Sequence, residues 1–216
     1  MSGRRGKPPE APPRAFAIIP ACGESRRMGG VAKLLLPLHG VPLVAHTLTA
    51  WQAAGISPLV VVRRGDKPLA DVCRSYGAEV LQPATPPPEM KVSVQLALQY
   101  LQQRYRPAAN FAWLLAPADM PRLSPAIIER MLAEHATLAK DGVAEILVPT
   151  IFDKQGHPVL FPWSFATQVF QLAANEGVKA LLTRNPYREI ACDDLVSAGS
   201  DAFCDVDTPL DYQRLR

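Results

Sequence analysis

Three short stretches of the chain carry residue types that suit phosphate chemistry. The first, Ala21-Cys22-Gly23-Glu24-Ser25-Arg26-Arg27-Met28-Gly29-Gly30-Val31-Ala32-Lys33, mixes glycines with cations. Glycines let backbone N–H groups approach phosphate oxygens, while Arg27 and Lys33 supply the positive charge a triphosphate requires. The second, Leu114 to Pro121, sets Asp119 just past an apolar run, where a carboxylate suits a Mg²⁺ ion carried on a triphosphate. The third is Asp205-Val206-Asp207-Thr208-Pro209. Alternate residues of an extended segment face the same way, so Asp205 and Asp207 can address one site. Each stretch also has a plainer reading: a solvated basic turn, an aspartate in a proline-bearing turn, and Asp207 as a helix N-cap with Pro209 early in the helix.

Other chemistries lose support from spacing alone. The first loop fits neither a Walker A loop nor G-x-G-x-x-G, which argues against an ATPase or a dehydrogenase. His39, His46, His135 and His157 show no metal-ligand spacing, and a histidine zinc site is not expected. Ser25 is not in a G-x-S-x-G elbow, so acyl transfer has no nucleophile here.

The chain has 216 residues and 48% hydrophobic content, enough for one substantial domain. Its formal charge of +3 comes from Arg4, Arg5, Lys7 and Arg14 against Glu10, leaving 19 basic and 19 acidic residues beyond them. A neutral body gives no footprint for a nucleic-acid backbone. Residues 1–14 are rich in proline and hold no large apolar side chain beyond the first methionine, so they are expected to be a disordered basic tail before a single domain at 15–216. No apolar stretch follows the basic start as in a secretory signal, and none is long enough to span a bilayer. Cys22, Cys73, Cys192 and Cys204 form no C-x-x-C pair; reduced thiols and a cytoplasmic location are expected.

The elements that must position the three stretches follow from apolar period. Strand-length apolar runs alternate with helical stretches, which predicts an α/β fold: three layers, a mostly parallel sheet with helices on both faces. Strands are expected at 16–19, 58–62, 79–81, 111–116, 145–149, 158–161 and 189–191, the 145–149 and 158–161 strands joined by a turn at 153–156. Helices are expected at 42–54, 67–76, 89–105, 125–139, 163–174 and 176–183, with a short one after Asp207. Ser124-Pro125 reads as an N-cap and N1 pair. The run at 111–116, apolar throughout, suits a central strand covered on both faces. Ligands bind beyond the carboxyl ends of such strands, so the loops after the first strand and after residue 116 should share one crevice.

In this order and spacing, the three stretches resemble the MobA-like nucleotidyltransferases, most closely the molybdenum cofactor cytidylyltransferase branch. Their L-A-A-G-x-S-x-R-M-G loop and following Lys match Pro20 to Gly29 and Lys33; G-D-M-P-x-L matches Ala118 to Leu123; G-H-P-V-L-F matches Gly156 to Phe161; D-I-D-T-P-x-D-Y matches Asp205 to Tyr212. The resemblance implies a nucleotide-diphospho-sugar transferase fold and a triphosphate cradle at Ala21, Cys22, Gly23, Glu24, Ser25 and Gly29, continued by Ala118. It also implies catalytic roles for Arg27, Lys33 and Asp119, with Mg²⁺ on Asp119 and Asp207. Glu89 to Val94 is similar to the E-R-x-x-S-V start of methylerythritol cytidylyltransferases, which would place Ser93 beside the base and favours CTP. The chain departs from these patterns at Pro20, Cys22, Met90 and Ala118, and by three residues rather than two between Gly29 and Lys33.

The reaction so implied moves a nucleoside monophosphate from an NTP to a small phosphorylated acceptor such as the molybdenum cofactor and releases pyrophosphate. An anionic phosphate nucleophile needs no dedicated general base, so positioning and charge neutralisation do the catalysis. The expected partners are NTP and that acceptor, with no nucleic acid and no membrane, and a partner enzyme to receive the product is compatible with this. A guanylyltransferase, a sugar-phosphate nucleotidyltransferase and a catalytically silent nucleotide-binding protein are the alternatives.

Overall fold

Strands rich in branched apolar residues gain most when both of their faces are covered, and that is how the long apolar runs settle. The computed structural model describes residues 14–23, 25, 28–197 and 201–216; the expected tail, apart from Arg14, lies outside the described residues. The main sheet contains β1 (Ala15–Ala21), β4 (Pro58–Val62), β5 (Glu79–Leu81), β6 (Ala112–Leu115), β7 (Ile146–Ile151), β8 (Lys154–Gln155), β9 (Val159–Pro162) and β10 (Tyr187–Ala191). Its order is β10-β7-β9-β6-β1-β4-β5, with β8 paired to β7. All pairings are parallel except those of β9 with β6 and β7 and of β8 with β7. A two-residue pair, β2 (Pro37–Leu38) and β3 (Val41–Pro42), stands apart.

Alternation along the strands feeds two cores, because successive side chains point to opposite faces. On one face Ala17, Ile19, Val60 and Leu114 meet α1 (Leu43–Ala53), α2 (Lys67–Ser75) and α4 (Pro125–Lys140). On the other, Phe16, Ile18, Val61 and Trp113 meet α3 (Met90–Tyr105), α5 (Ala166–Val169) and α6 (Leu181–Arg184). Val94, Ala97, Leu98 and Leu101 form the buried stripe of α3, at the spacing of a helix over the expected 89–105. The result is the expected α/β sandwich of three layers. No helix among the described residues is long and apolar enough to cross a membrane.

A third, small cluster matters for the site. Leu38, Leu43, Val206 and Leu215 pack together, docking α7 (Pro209–Leu215) onto the β2–β3 pair; the Tyr212 hydroxyl donates to the Pro37 carbonyl. The C-terminal aspartates are thereby tied to the segment that follows Lys33.

Several local expectations are corrected. Thr208, not Asp207, caps α7: its hydroxyl accepts from the Asp211 N–H, the Asp211 carboxylate accepts from the Thr208 N–H, and Pro209 takes the first helical position. Ser124 does stand at the N-cap of α4, but its side chain makes no cap bond. The helices expected over 163–174 and 176–183 shrink to 3₁₀ turns at Trp163–Phe165 and Val178–Ala180 followed by four-residue α5 and α6. Gln95 takes the Val169 carbonyl at 2.9 Å and the Ala173 N–H goes to Glu176, so the i→i−4 bond that would carry α5 onward is not made; the buried Lys91 ammonium takes the carbonyls of Ala173 and Ala174 at 2.6 and 2.9 Å, and Gly177 is extended.

Gly156 shows how tightly the β8–β9 connection packs. A Cβ there would overlap the ring of Phe203, so a side chain at 156 and that ring cannot both keep their places. Gly156→Ala should cost about 1–3 kcal/mol, the usual penalty for overpacking. Phe203→Ala in the same chain should remove most of it. Thermal and denaturant melts of the two single variants and the double variant check this; equal stability of Gly156→Ala and the parent contradicts it.

Candidate active site

Parallel neighbours end at the same rim, so residues far apart in sequence are delivered to one place. β1 ends at Ala21 beside Val62 of β4, and Ile18 pairs with Leu115 at the end of β6. The segments Cys22–Lys33, Arg63–Asp66 and Ala116–Asp119 therefore leave the sheet together.

Lys33, in a 3₁₀ turn spanning Lys33–Leu35, reaches across this rim. Its ammonium hydrogen-bonds to Asp119 Oδ2 and lies 3.6 Å from Asp207 Oδ1. Its side chain is 12% exposed and that of Asp119 14%, so the pair is largely shielded from water and its attraction is less screened than at a surface; Asp207, at 42%, remains open to solvent. Asp205 belongs to the same cluster: burial first, then the charges of Asp119 and Asp207, push its carboxyl above the usual 3.8. Negative charge is thus concentrated around a single lysine.

Three sets of contacts hold this arrangement, and none was singled out in the sequence. Thr47 of α1, fully buried, donates to the carbonyls of Ala118 and Met120 at 3.1 and 3.0 Å, the two residues flanking Asp119. The Val206 N–H donates to the Asp119 carbonyl at 3.0 Å, tying the second and third stretches together. Arg63 donates to the carbonyls of Cys22 and Gly23 at 3.2 and 3.1 Å, steadying the glycine loop. Only long-range packing brings these partners together, so no local motif announces them.

The loop itself turns on positive φ at Ser25, Gly29 and Gly30, and the Ser25 carbonyl accepts from Met28 N–H at 2.9 Å. Arg27 and Glu24 lie outside the described residues. A cavity of about 240 Å³ is lined by Ala21, Cys22, Gly23, Ser25, Ser93 and Ala118, together with Lys33 and Asp119. Gly29 and Asp207 are not among its walls. Cys22 and Ser93 meet in it: burial raises the Cys22 thiol, and a hydrogen bond with Ser93 partly opposes that. Lys33 also lines a second cavity of about 470 Å³ that includes Gly30, Arg63 and Arg64.

A third cavity, about 620 Å³, opens on the other side of Glu89 and Met90, which line both it and the Ser93 cavity. Its floor is apolar, with Leu115, Val148 and Phe161, and His157 and Lys179 are among its polar walls. The Leu115 carbonyl can only accept, so the 3.2 Å contact from His157 Nδ1 puts the ring proton on that nitrogen. Burial lowers the His157 pKa below 6.5, and the charges of Asp205 and Asp119 pull the other way. The histidine therefore stands between this cavity and the carboxylates.

The donor chemistry suits a hard divalent ion. Asp119 and Asp207 offer carboxylate oxygens near one another, and among the described residues no group of three His, Cys, Asp or Glu side chains is assembled as a complete metal site. Two carboxylates with the remaining ligands from phosphates and water is how Mg²⁺ is commonly held.

Comparison with known proteins decides the family. A model of the MobA-like NTP transferase domain matches residues 17–190. The chain belongs to this family. It is 29% identical over 157 residues to the 3-deoxy-manno-octulosonate cytidylyltransferase of Bradyrhizobium diazoefficiens, covering 68% of this chain and 61% of that protein. It is 31% identical over 140 residues to the molybdenum cofactor guanylyltransferase of Cupriavidus metallidurans, covering 64% and 62%. The chain thus spans about three-fifths of the length of these curated relatives. Crystal structures of Rv0371c from Mycobacterium tuberculosis superpose with a TM-score of 0.70 at 26% identity, covering 93% of this chain and 96% of that one, and a second, with manganese, scores 0.68 at 25% identity, covering 93% and 97%. The MobA-like assignment agrees with the resemblance read from the motifs, and the central sheet with the fold of these neighbours.

Two measurements probe the supports of the site. Thr47→Val keeps shape but leaves two buried carbonyls without their donor, and should cost about 1–3 kcal/mol; Thr47→Ser should recover most of it, and a Thr47→Val melt unchanged from the parent contradicts the role. For His157, an unfolded chain takes up its proton near 6.5, whereas the folded chain does so lower. The unfolded state then binds more protons between the two values, so the stability due to His157 is lost as pH falls through that window. NMR titration of the ring should give a midpoint below 6.5, and a midpoint at or above it would refute the burial argument.

Proposed function

We propose that this MobA-like protein is a divalent-metal-dependent nucleotidyltransferase that transfers a nucleoside monophosphate, CMP from CTP in the favoured case, to a small phosphorylated acceptor. The observation that carries this reading is the Lys33 ammonium shared by Asp119 and Asp207 at the rim where the glycine loop ends. An apolar binding module has no use for that cluster.

In the proposed reaction an acceptor phosphate oxygen forms a bond to the α-phosphorus. The bond from that phosphorus to the oxygen bridging to the β-phosphate breaks, and its electron pair leaves on pyrophosphate. Asp119 and Asp207 would hold Mg²⁺, which neutralises phosphate charge when bound. Lys33 and Arg27 stabilise the charge that migrates to pyrophosphate. Ala21, Cys22, Gly23, Glu24, Ser25 and Gly29 form the cradle, continued by Ala118, with Arg63 holding two of its carbonyls in place. Ser93 and Cys22 face the base, and the small cavity there favours a pyrimidine. GTP is the second reading, favoured by the similarity to a guanylyltransferase. The acceptor sits in the 620 Å³ cavity beyond Met90, with His157 toward the reacting oxygen. An acceptor with an apolar body, such as a ring system bearing one phosphate, suits those walls better than a polyhydroxylated sugar acid; the molybdenum cofactor is the candidate to try first.

Pyrophosphate release, measured with each of CTP, GTP, ATP and UTP in Mg²⁺ and with molybdopterin-type acceptors, tests the reading. CTP should be preferred, and Asp119→Asn should reduce turnover by about 10²- to 10³-fold or more while circular dichroism stays native. A fully active Asp119→Asn protein would sink the assignment.

A further inference from the structure

Lys33 occupies a place that a nucleotide-binding lysine need not occupy. Its ammonium contacts the Asp119 carboxylate and lies 3.6 Å from that of Asp207, the same two groups assigned to the metal. A divalent ion cannot approach both oxygens closely while the ammonium is there, because like charges repel and the coordination positions are taken. The same side chain lines both cavities that flank the glycine loop, so its four-carbon stem can turn from carboxylates to phosphates by side-chain rotation.

A second, independent observation points the same way. Among the described residues Asp119, Asp205 and Asp207 are not assembled with one another, or with a histidine or cysteine, into a three-ligand metal site, so an ion held there has coordination positions left for phosphate oxygens. A triphosphate can supply those oxygens while also offering the ammonium a new partner.

We propose that Lys33 is an internal counter-ion that keeps the Asp119–Asp207 pair from taking a divalent ion until nucleotide arrives. The triphosphate draws the ammonium off the carboxylates, and metal and nucleotide enter together. Lys33 therefore sets the order of addition as well as stabilising phosphate charge. The inference rests on the nucleotidyltransferase reading of this site, and deepens it by assigning a sequence of binding events.

The test uses the full chain and Mn²⁺, followed by electron paramagnetic resonance with no nucleotide present. Lys33→Met should bind Mn²⁺ at least about ten-fold more tightly than the unmodified protein, since removing a neighbouring positive charge removes its repulsion. Asp119→Asn added to Lys33→Met should abolish that gain. Mn²⁺ binding by Lys33→Met no tighter than by the parent overturns the proposal. Should Lys33→Met fold poorly, Lys33→Gln and the unmodified protein carry the test. Nucleotide-free binding by the parent, lost in Asp119→Asn and as tight as its binding with CTP, would also overturn it. Equilibrium dialysis of radiolabelled CTP and GTP with Mg²⁺ separates the two levels. Retained nucleotide without the Lys33→Met gain removes the counter-ion role alone, whereas no retained nucleotide removes the enzyme reading as well.

Discussion

One shared ion pair organises the molecule. Lys33, Asp119 and Asp207 come from three segments, and the Lys33–Asp119 pair alone closes 86 residues of sequence. Buried or half-buried charges are costly unless paired, and each of these groups stands where another can partner it. The fold can be read as the apparatus that makes this meeting obligatory. β1 and β6 are parallel neighbours, their following loops leave at one rim, and α7 is pinned to the β2–β3 pair by the third apolar cluster.

The supports follow a consistent pattern. Thr47 fixes the backbone on either side of Asp119, Arg63 fixes the carbonyls at the start of the glycine loop, and Lys91 fixes the wall of the larger cavity through Ala173 and Ala174. In each case a side chain from one element satisfies backbone carbonyls of another, which stops a loop from moving while leaving its own side chains free for ligands. His157 plays a comparable part between the larger cavity and the carboxylates. Rigid loops of this kind are what positional catalysis of phosphoryl transfer requires.

The sheet was legible because burial on both faces leaves a continuous apolar run, and 16–19, 58–62 and 111–116 carry one. The glycine loop and Asp119 stood out because their residue types suit phosphate and a hard metal ion, although a solvated turn and an aspartate in a proline-bearing turn read the same residues more plainly. Asp207 was expected as the cap of α7, which Thr208 and Asp211 form instead; T-P-L-D already spells a Thr followed three residues later by an acid. The segments 163–174 and 176–183 misled for a different reason. Their apolar content is helical, but Gln95 takes the Val169 carbonyl and Glu176 takes the Ala173 N–H, the two groups that a continuing helix would pair with each other. Thr47, Arg63 and Lys91 could not be found from local pattern, since Thr47 acts on a residue 71 positions away and its neighbours in α1 are ordinary core residues.

The most direct measurement is a crystal structure of the protein with CTP and Mn²⁺, read by anomalous scattering. The account predicts a manganese peak between the Asp119 and Asp207 carboxylates, a triphosphate along the loop from Ala21 to Lys33, and the Lys33 ammonium on phosphate oxygen. Manganese or nucleotide bound away from these residues, with Lys33 still joined to Asp119, would contradict it.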